Sequence, residues 1–263
     1  MERKGKVIAI VTGASSGIGR EFVRLLVREK VQQVWAVARN EQKLSALKNE
    51  FGEKVRCFSL DLTEKTAIEQ LQNVLQEEQP RVRYLVNNAG FDRFGLYSDI
   101  SLDDSVKMID LNCSAVVALG LVCIPYMKRG SRIINMASQA SFQPMPFQSV
   151  YGATKAFVRS YSRALHVELR EKGITVTAVC PGWVDTPLLK DSDMGGQYTI
   201  SNFSGKVKPG VVAEQALRDA KRGKDMSVYG IHVKAAHVAA KLVPQKLAME
   251  VWLRMQNGGK KKS

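Results

Sequence analysis

The chain has 263 residues, 45% of them hydrophobic, which is enough for one well-buried core and too apolar for a disordered polymer. Its formal charge is +14, and from Ser201 onward 13 Lys or Arg stand against 4 Asp or Glu, a basic bias that suits nucleic acid, an anionic membrane surface or acidic small molecules. Four scattered cysteines and three isolated histidines give neither a disulfide framework nor a zinc site. No leader-like segment opens the chain, and its longest uncharged run, 111–127, falls short of the roughly 20 apolar residues of a membrane span; the expected location is cytoplasmic.

In chain order, Val7 to Val11 is continuously apolar, as a strand covered on both faces would be. TGASSGIG follows at 12–19, then a helix with Ile18, Phe22, Leu25 and Leu26 at helical spacing. Val34 to Ala38 predicts a second strand, Glu41 to Glu50 a polar helix, and Val55 to Leu60 a third strand. Ala67, Ile68, Leu71, Val74 and Leu75 mark one face of the next helix, and Val82 to Val86 predicts a fourth strand. Ser101 and Asp104 read as a capping box before a long helix that includes Leu111 to Met127. Arg132 to Met136 predicts a fifth strand, Tyr151 to Glu171 a second long helix, and Ile174 to Val179 a sixth strand halted by Pro181. Alternating strands and helices predict an α/β fold, a Rossmann-like doubly wound parallel sheet in a single domain over 1–263. Within it, 187–210 reads as a substrate loop and 232–263 as a basic C-terminal segment. Both long helices are apolar around more than half their circumference, which predicts a homodimer or homotetramer paired through them.

Gly13, Gly17 and Gly19 lie between the first strand and the first helix. Glycine there lets the backbone turn sharply and lets a phosphate approach the N–H groups of the helix start. A nicotinamide dinucleotide is the expected ligand of such a loop in this position. The second strand ends in Ala38 and Arg39. Ala38 lacks the carboxylate that would repel a ribose 2′-phosphate, and the Arg39 guanidinium can meet that phosphate, so NADP(H) is expected ahead of NAD(H).

These segments, together with Asp61, NNAG at 87–90, Asn112, Ser138, YGATK at 151–155 and the Pro181-Gly182 pair, resemble the short-chain dehydrogenase/reductase family, single-domain type, over nearly the whole chain. The resemblance implies that Asn112, Ser138, Tyr151 and Lys155 are catalytic. It implies cofactor contacts at Gly13, Ser15, Ser16, Gly17, Ile18, Gly19, Arg39, Asp61, Leu62, Asn88, Ala89, Gly90, Tyr151, Lys155, Pro181, Gly182, Val184 and Thr186. Asp61 would meet the adenine, the stretch after Pro181 the nicotinamide carboxamide, and Asn112 a water relay from Lys155. Four residues apart on one helix, Tyr151 and Lys155 share a face. An ammonium about 5 Å away at an effective dielectric of 20 contributes roughly 3 kcal/mol and would lower a phenol pKa of about 10 by about two units. Tyr151 would then be the general acid/base of a ketone–alcohol interconversion, and Ser138 would hold the substrate oxygen.

Fold and motif do not choose the substrate. Phe91, Phe94 and Trp183, with Ser138 and Tyr151, are the expected substrate contacts. Their aromatic character predicts a bulky hydrophobic ketone or alcohol, hydroxysteroid-like first and 3-oxoacyl next. The alternative is a non-catalytic NADPH-binding redox sensor or interaction protein, which the complete Ser, Tyr, Lys and Asn set disfavours. Charge alone suggests nucleic acid, and no stacking-aromatic or zinc module supports it. The C-terminal segment is expected to pack on the protein or its oligomer partner in preference to a membrane surface.

Overall fold

The structure, a computed structural model, describes residues 5–194 and 200–256; part of the expected substrate loop and the end of the basic tail lie outside the described residues. Seven strands form one parallel sheet: β1 (Val7–Thr12), β2 (Gln33–Ala38), β3 (Val55–Ser59), β4 (Arg81–Asn87), β5 (Arg132–Met136), β6 (Thr175–Val179) and β7 (Met226–Ser227). Their order is β3-β2-β1-β4-β5-β6-β7. Chain order reverses between β1 and β4, which opens a crevice at the carboxyl ends of these two strands, the place where such sheets bind ligands.

The helices are α1 (Gly17–Leu26), α2 (Glu41–Phe51), α3 (Lys65–Glu78), α4 (Leu102–Ile109), α5 (Ala115–Cys123), α6 (Ser149–Glu168), α7 (Pro187–Lys190), α8 (Pro209–Lys221), α9 (Ile231–Leu242) and α10 (Gln245–Met255). In β1, Ala9 and Val11 join a core with Phe22, Val23, Leu44 and Val212, while Ile8 and Ile10 join a second core with Leu71, Leu75, Leu119 and Leu165. Alternate side chains of one strand therefore feed two apolar layers. That is why the strands read as continuous apolar runs.

The expected long helix is interrupted. Between α4 and α5, Asp110–Ser114 is a π-helical turn in which the Ala115 N–H reaches back five residues to the Asp110 carbonyl. Pro125 then confines the far end to a short 3-10 turn, Ile124–Tyr126. This helical run, Leu102–Tyr126, is long and apolar enough to cross a membrane by length and composition, and half of an 18-residue apolar stretch within it is buried inside the protein. The Ser101 side chain caps α4 by accepting from the Asp104 N–H, as its place in the sequence predicts.

Sequence reasoning missed β7. Two residues carry no periodicity, and the strand exists because Ala178 and Val179 of β6 offer it an edge. The basic C-terminal segment folds back on the body as α9 and α10, joined at Pro244. Trp252 anchors it, buried, with its indole N–H donating to the Pro146 carbonyl at 3.2 Å. The Gln256 side-chain carbonyl accepts from the Ser201 and Asn202 N–H groups and ties the end of α10 to the loop above the site.

Candidate active site

β1 delivers the glycine loop into the crevice. Gly13 and Gly17 have φ of 61° and 52°, in the left-handed region where a side chain is strained. A Cβ on Gly19 would lie 2.2 Å from the Gly13 carbonyl oxygen, so α1 can start this close to the loop only with glycine there. Ser16 stands at the N-cap of α1 without spending its side chain on the helix, leaving the amino end of α1 open to an anion. Thr12 and Asn88 hold the loop to β4. The Thr12 hydroxyl accepts from the Asn88 and Ala89 N–H groups at 3.0 Å each, and the Asn88 amide donates to the Thr12 carbonyl at 3.1 Å.

The result is a cleft of about 380 Å³. Gly13, Ser15, Ser16, Gly17 and Ile18 line one side, Asn88, Ala89 and Gly90 another, and Ala38, Arg39 and Leu62 the far end. Lys43, on the first turn of α2, also lines that end, a second cation that sequence reasoning did not single out. Arg39 is largely exposed, with its guanidinium 3.7 Å from Asp61. Asp61 spends one carboxylate oxygen on the Thr63 N–H and hydroxyl, and it is the neighbouring Leu62 that forms the cleft wall. Burial works to raise the Asp61 carboxyl; the Thr63 hydrogen bonds and Arg39 outweigh it and hold the group below its usual range.

A smaller cavity of about 100 Å³ adjoins the cleft, and here Ser138, Tyr151 and Lys155 meet Pro181, Gly182, Val184 and Thr186. Ser138 lies two residues past β5 with an extended backbone, and its hydroxyl oxygen accepts from the Ala140 N–H at 3.1 Å. That bond leaves the Ser138 O–H to donate toward the Tyr151 oxygen. The Lys155 ammonium is buried, donates to the Met136 carbonyl at 2.9 Å, and lies 5.5 Å from the centroid of the Tyr151 ring.

The expected sign of the Tyr151 shift is reversed. Burial, reinforced by the carboxyl of Asp92, pushes the phenol above its ordinary value, and Ser138 offsets this only in part. Burial also lowers Lys155 to about 8, so the cation expected to acidify Tyr151 is still charged at neutrality but loses its proton just above it. The sequence shows the pair; it does not show how dry their surroundings are.

Asn112 sits on the π-turn, fully buried. Its side chain is committed: the carbonyl accepts from the Phe91 N–H at 3.1 Å, and the amide donates to the Phe91 carbonyl at 3.0 Å and the Thr154 hydroxyl at 3.1 Å. It thus clamps the loop after β4 onto α6. A Cβ on Gly90 would lie 2.7 Å from the Asn112 carbonyl oxygen and 3.3 Å from the Lys155 nitrogen, which brings these three residues to one spot.

Of the expected substrate contacts, Trp183 lines both the small cavity and a neighbouring apolar one. Phe94 does not line either: it is completely buried, edge-on to Trp183 at 6.2 Å and beside Phe203 at 5.9 Å, so it supports the wall from behind. Phe91 is held by Asn112 through its backbone and stacks under the Arg93 guanidinium, outside both cavity walls. Met145 and Phe142 line the apolar cavity, which has a volume of about 680 Å³ and is roofed by Val233, Ala236, Val251 and Trp252 of the C-terminal helices. Sequence reasoning passed over Asp92 and Gln148, which line the small cavity beside Tyr151.

Comparison with known proteins agrees with this geometry. The sequence pattern of the short chain dehydrogenase family matches residues 7–195. A Staphylococcus epidermidis protein named as an oxidoreductase is 32% identical over 197 residues, 74% of this chain and 85% of its own length. A Staphylococcus aureus oxidoreductase is 30% identical over 230 residues, 86% of this chain and 96% of its own. Among solved structures, a short-chain dehydrogenase from Sphingobium yanoikuyae in complex with NADPH superposes with a TM-score of 0.76 at 28% identity, covering 92% of this chain and 94% of that one. The bulky-bulky ketone specific alcohol dehydrogenase of Comamonas testosteroni does so with 0.73 at 26% identity and the same coverage. With its glycine loop at the switch point and Ser138, Tyr151 and Lys155 gathered on one cavity, this chain belongs to the short-chain dehydrogenase/reductase family of oxidoreductases.

Proposed function

We propose that the protein interconverts a bulky, largely apolar ketone and its secondary alcohol, with NADP(H) as the hydride carrier. The observation that carries this reading is the convergence of the Ser138 hydroxyl, Tyr151 and Lys155 with Gly182, Val184 and Thr186 on one small cavity next to the dinucleotide-sized cleft. The cofactor supplies or takes the hydride; the side chains manage the oxygen. Ser138 donates to the substrate oxygen and stabilises the negative charge that grows there. Tyr151 gives or takes the proton on that oxygen, and Lys155 keeps a positive charge at its back. A proton path past Asn112 would use the backbone of the π-turn, since its side chain is spent on Phe91 and Thr154.

Ala38, Arg39 and Lys43 support the preference for a 2′-phosphate: no carboxylate repels it at the end of β2, and two cations flank the place where it would sit. The NADPH complex of the Sphingobium relative points the same way. The apolar cavity under α9 and α10 supports a hydrophobic substrate body, hydroxysteroid-like or 3-oxoacyl, and the Comamonas relative is named for bulky ketones. The exposed apolar faces of α5 and α6 support self-association into a homodimer or homotetramer.

The test is NADPH oxidation across ketosteroids, 3-oxoacyl thioesters and aromatic ketones, repeated with NADH. Turnover of at least one class is expected, with the higher kcat/KM for NADPH. No turnover with any class, from protein that binds NADPH, overturns the reaction; a tenfold preference for NADH overturns the cofactor.

A further inference from the structure

The cavity beside Tyr151 contains a polar pair that ketone reduction does not use. Asp92 follows the NNAG segment and Gln148 precedes α6, 56 positions apart in the chain, yet the Gln148 amide donates to one Asp92 carboxyl oxygen at 2.5 Å. Both are buried, with 2% and 1% of their surface exposed, and both line the same cavity as Ser138 and Tyr151. Their mutual bond leaves two oxygens over. Asp92 Oδ1 and Gln148 Oε1 are buried without a hydrogen-bond partner among the described residues. An unsatisfied buried polar atom costs about 1–3 kcal/mol, so two on one wall call for a ligand group that satisfies them.

We propose that Asp92 and Gln148 form a recognition subsite for a hydroxyl group of the substrate, carried within a few bonds of the carbonyl carbon. This deepens the ketone-reduction reading and rests on it. The distance along the substrate follows from space: a cavity of about 100 Å³ holds roughly three waters' worth of atoms, so whatever reaches Asp92 is close in bonds to the carbon served by Tyr151. The choice of a hydroxyl follows from valence, because it both donates and accepts. Burial pushes the Asp92 carboxyl well above the usual range, against the opposing pull of Gln148, the Arg93 backbone, Lys155 and the Arg93 charge. With a proton on Oδ1, the oxygen that the Gln148 N–H leaves open, the Asp92 carboxyl becomes a donor. One substrate hydroxyl then accepts from Asp92 Oδ1 and donates to Gln148 Oε1, satisfying both atoms. The rest of the substrate extends past Trp183 into the apolar cavity, so the preferred substrate is a hydroxyketone with a hydrophobic body.

Acetophenone and 2-hydroxyacetophenone are the matched probes, used with the NADPH-loaded full chain. Wild type is expected to favour the hydroxyketone in kcat/KM by tenfold or more, because a site built to bond a hydroxyl leaves its own groups unpaired with the analogue that lacks one. In Asp92→Leu and Gln148→Leu the ratio is expected to fall to about one. A purely structural tie between the β4 loop and α6 would instead slow both probes in parallel and keep the ratio. Asp92→Asn, which keeps the shape, serves if the leucine variants do not fold, and its ratio is expected to drop as well. Equal kcat/KM in wild type, or a ratio that survives substitution, overturns the subsite while leaving ketone reduction standing. If neither probe turns over, the thermal midpoint of the NADPH-loaded protein decides: a larger shift with 2-hydroxyacetophenone supports the subsite, and equal shifts or none overturn it.

Discussion

At the scale of single residues, Lys155 shows what the site costs the fold. Its pKa falls from an ordinary 10.5 to about 8 because it is buried, and each unit is worth 1.36 kcal/mol. Below about pH 8 both the folded and unfolded chains carry the proton, and the full cost of about 3 kcal/mol stands. Between about 8 and 10.5 the unfolded chain holds more protons than the folded one, so stability rises with pH and the cost disappears. Lys155→Met is therefore expected to unfold at higher urea than wild type at pH 7, with the gap closing by pH 10.5; an equal midpoint at pH 7 would show that the ammonium is better solvated than its burial implies. Tyr151→Phe keeps the ring and removes the proton. It is expected to lower kcat at least a hundredfold while NADPH fluorescence titration gives an unchanged affinity, and retention of most turnover would remove Tyr151 from the chemistry. The identities of Ser138, Tyr151 and Lys155 were legible in the sequence because their types and spacing are distinctive. Their electrostatics were not, since the sign of the Tyr151 shift depends on burial and on Asp92, and nothing local marks Asp92 and Gln148 as neighbours across 56 positions. Phe94 misled for the same reason: an aromatic after the fourth strand reads alike whether it faces a cavity or the core.

At the scale of elements, strands buried on both faces and helices with one apolar stripe announced themselves, and six of the seven strands follow from such runs. The π-turn at Asp110–Ser114 did not, because Leu111, Cys113 and their flanks continue a helical pattern while the backbone widens by one residue to bring Asn112 under Phe91. Glycines separate the two kinds of information. Gly19→Ala would press a methyl to 2.2 Å from the Gly13 carbonyl oxygen, a backbone atom that cannot yield without moving the loop. A cost of about 2 kcal/mol is expected, read as a fall in the melting midpoint of about 5 °C, together with loss of NADPH binding. Gly152, inside α6, meets only ordinary contacts, with Met145 Cβ at 3.4 Å from an added methyl. Gly152→Ala is expected to be neutral or to stabilise by up to about 1 kcal/mol through helix propensity. Parallel effects of the two substitutions in thermal unfolding would show that steric space at the loop is not what selects Gly19.

At the scale of the whole molecule, the side of the sheet covered by α3, α5 and α6 is left unfinished. Leu121 of α5 and Phe157 of α6 are 62% and 45% exposed, and Val106 and Ile109 of α4 extend the same apolar character toward the π-turn. Scattered exposed apolar residues are ordinary, but a group of them on α6, which carries Tyr151 and Lys155, and on α5, which follows the π-turn of Asn112, is a surface to which a second copy can add its own identical face. A two-fold arrangement uses each patch once on each subunit and closes the assembly. Pairing there would also stiffen α6, which holds Tyr151 and Lys155. Light scattering is therefore expected to give two or four times the 29.2 kDa of one chain. Leu121→Glu combined with Phe157→Lys should release the 29.2 kDa species and lower turnover more than NADPH affinity, since α6 carries Tyr151 and Lys155 while the glycine loop follows β1, two strands away from β5. A wild-type mass of one chain at assay concentration would mean that the exposed faces of α5 and α6 serve something other than self-association.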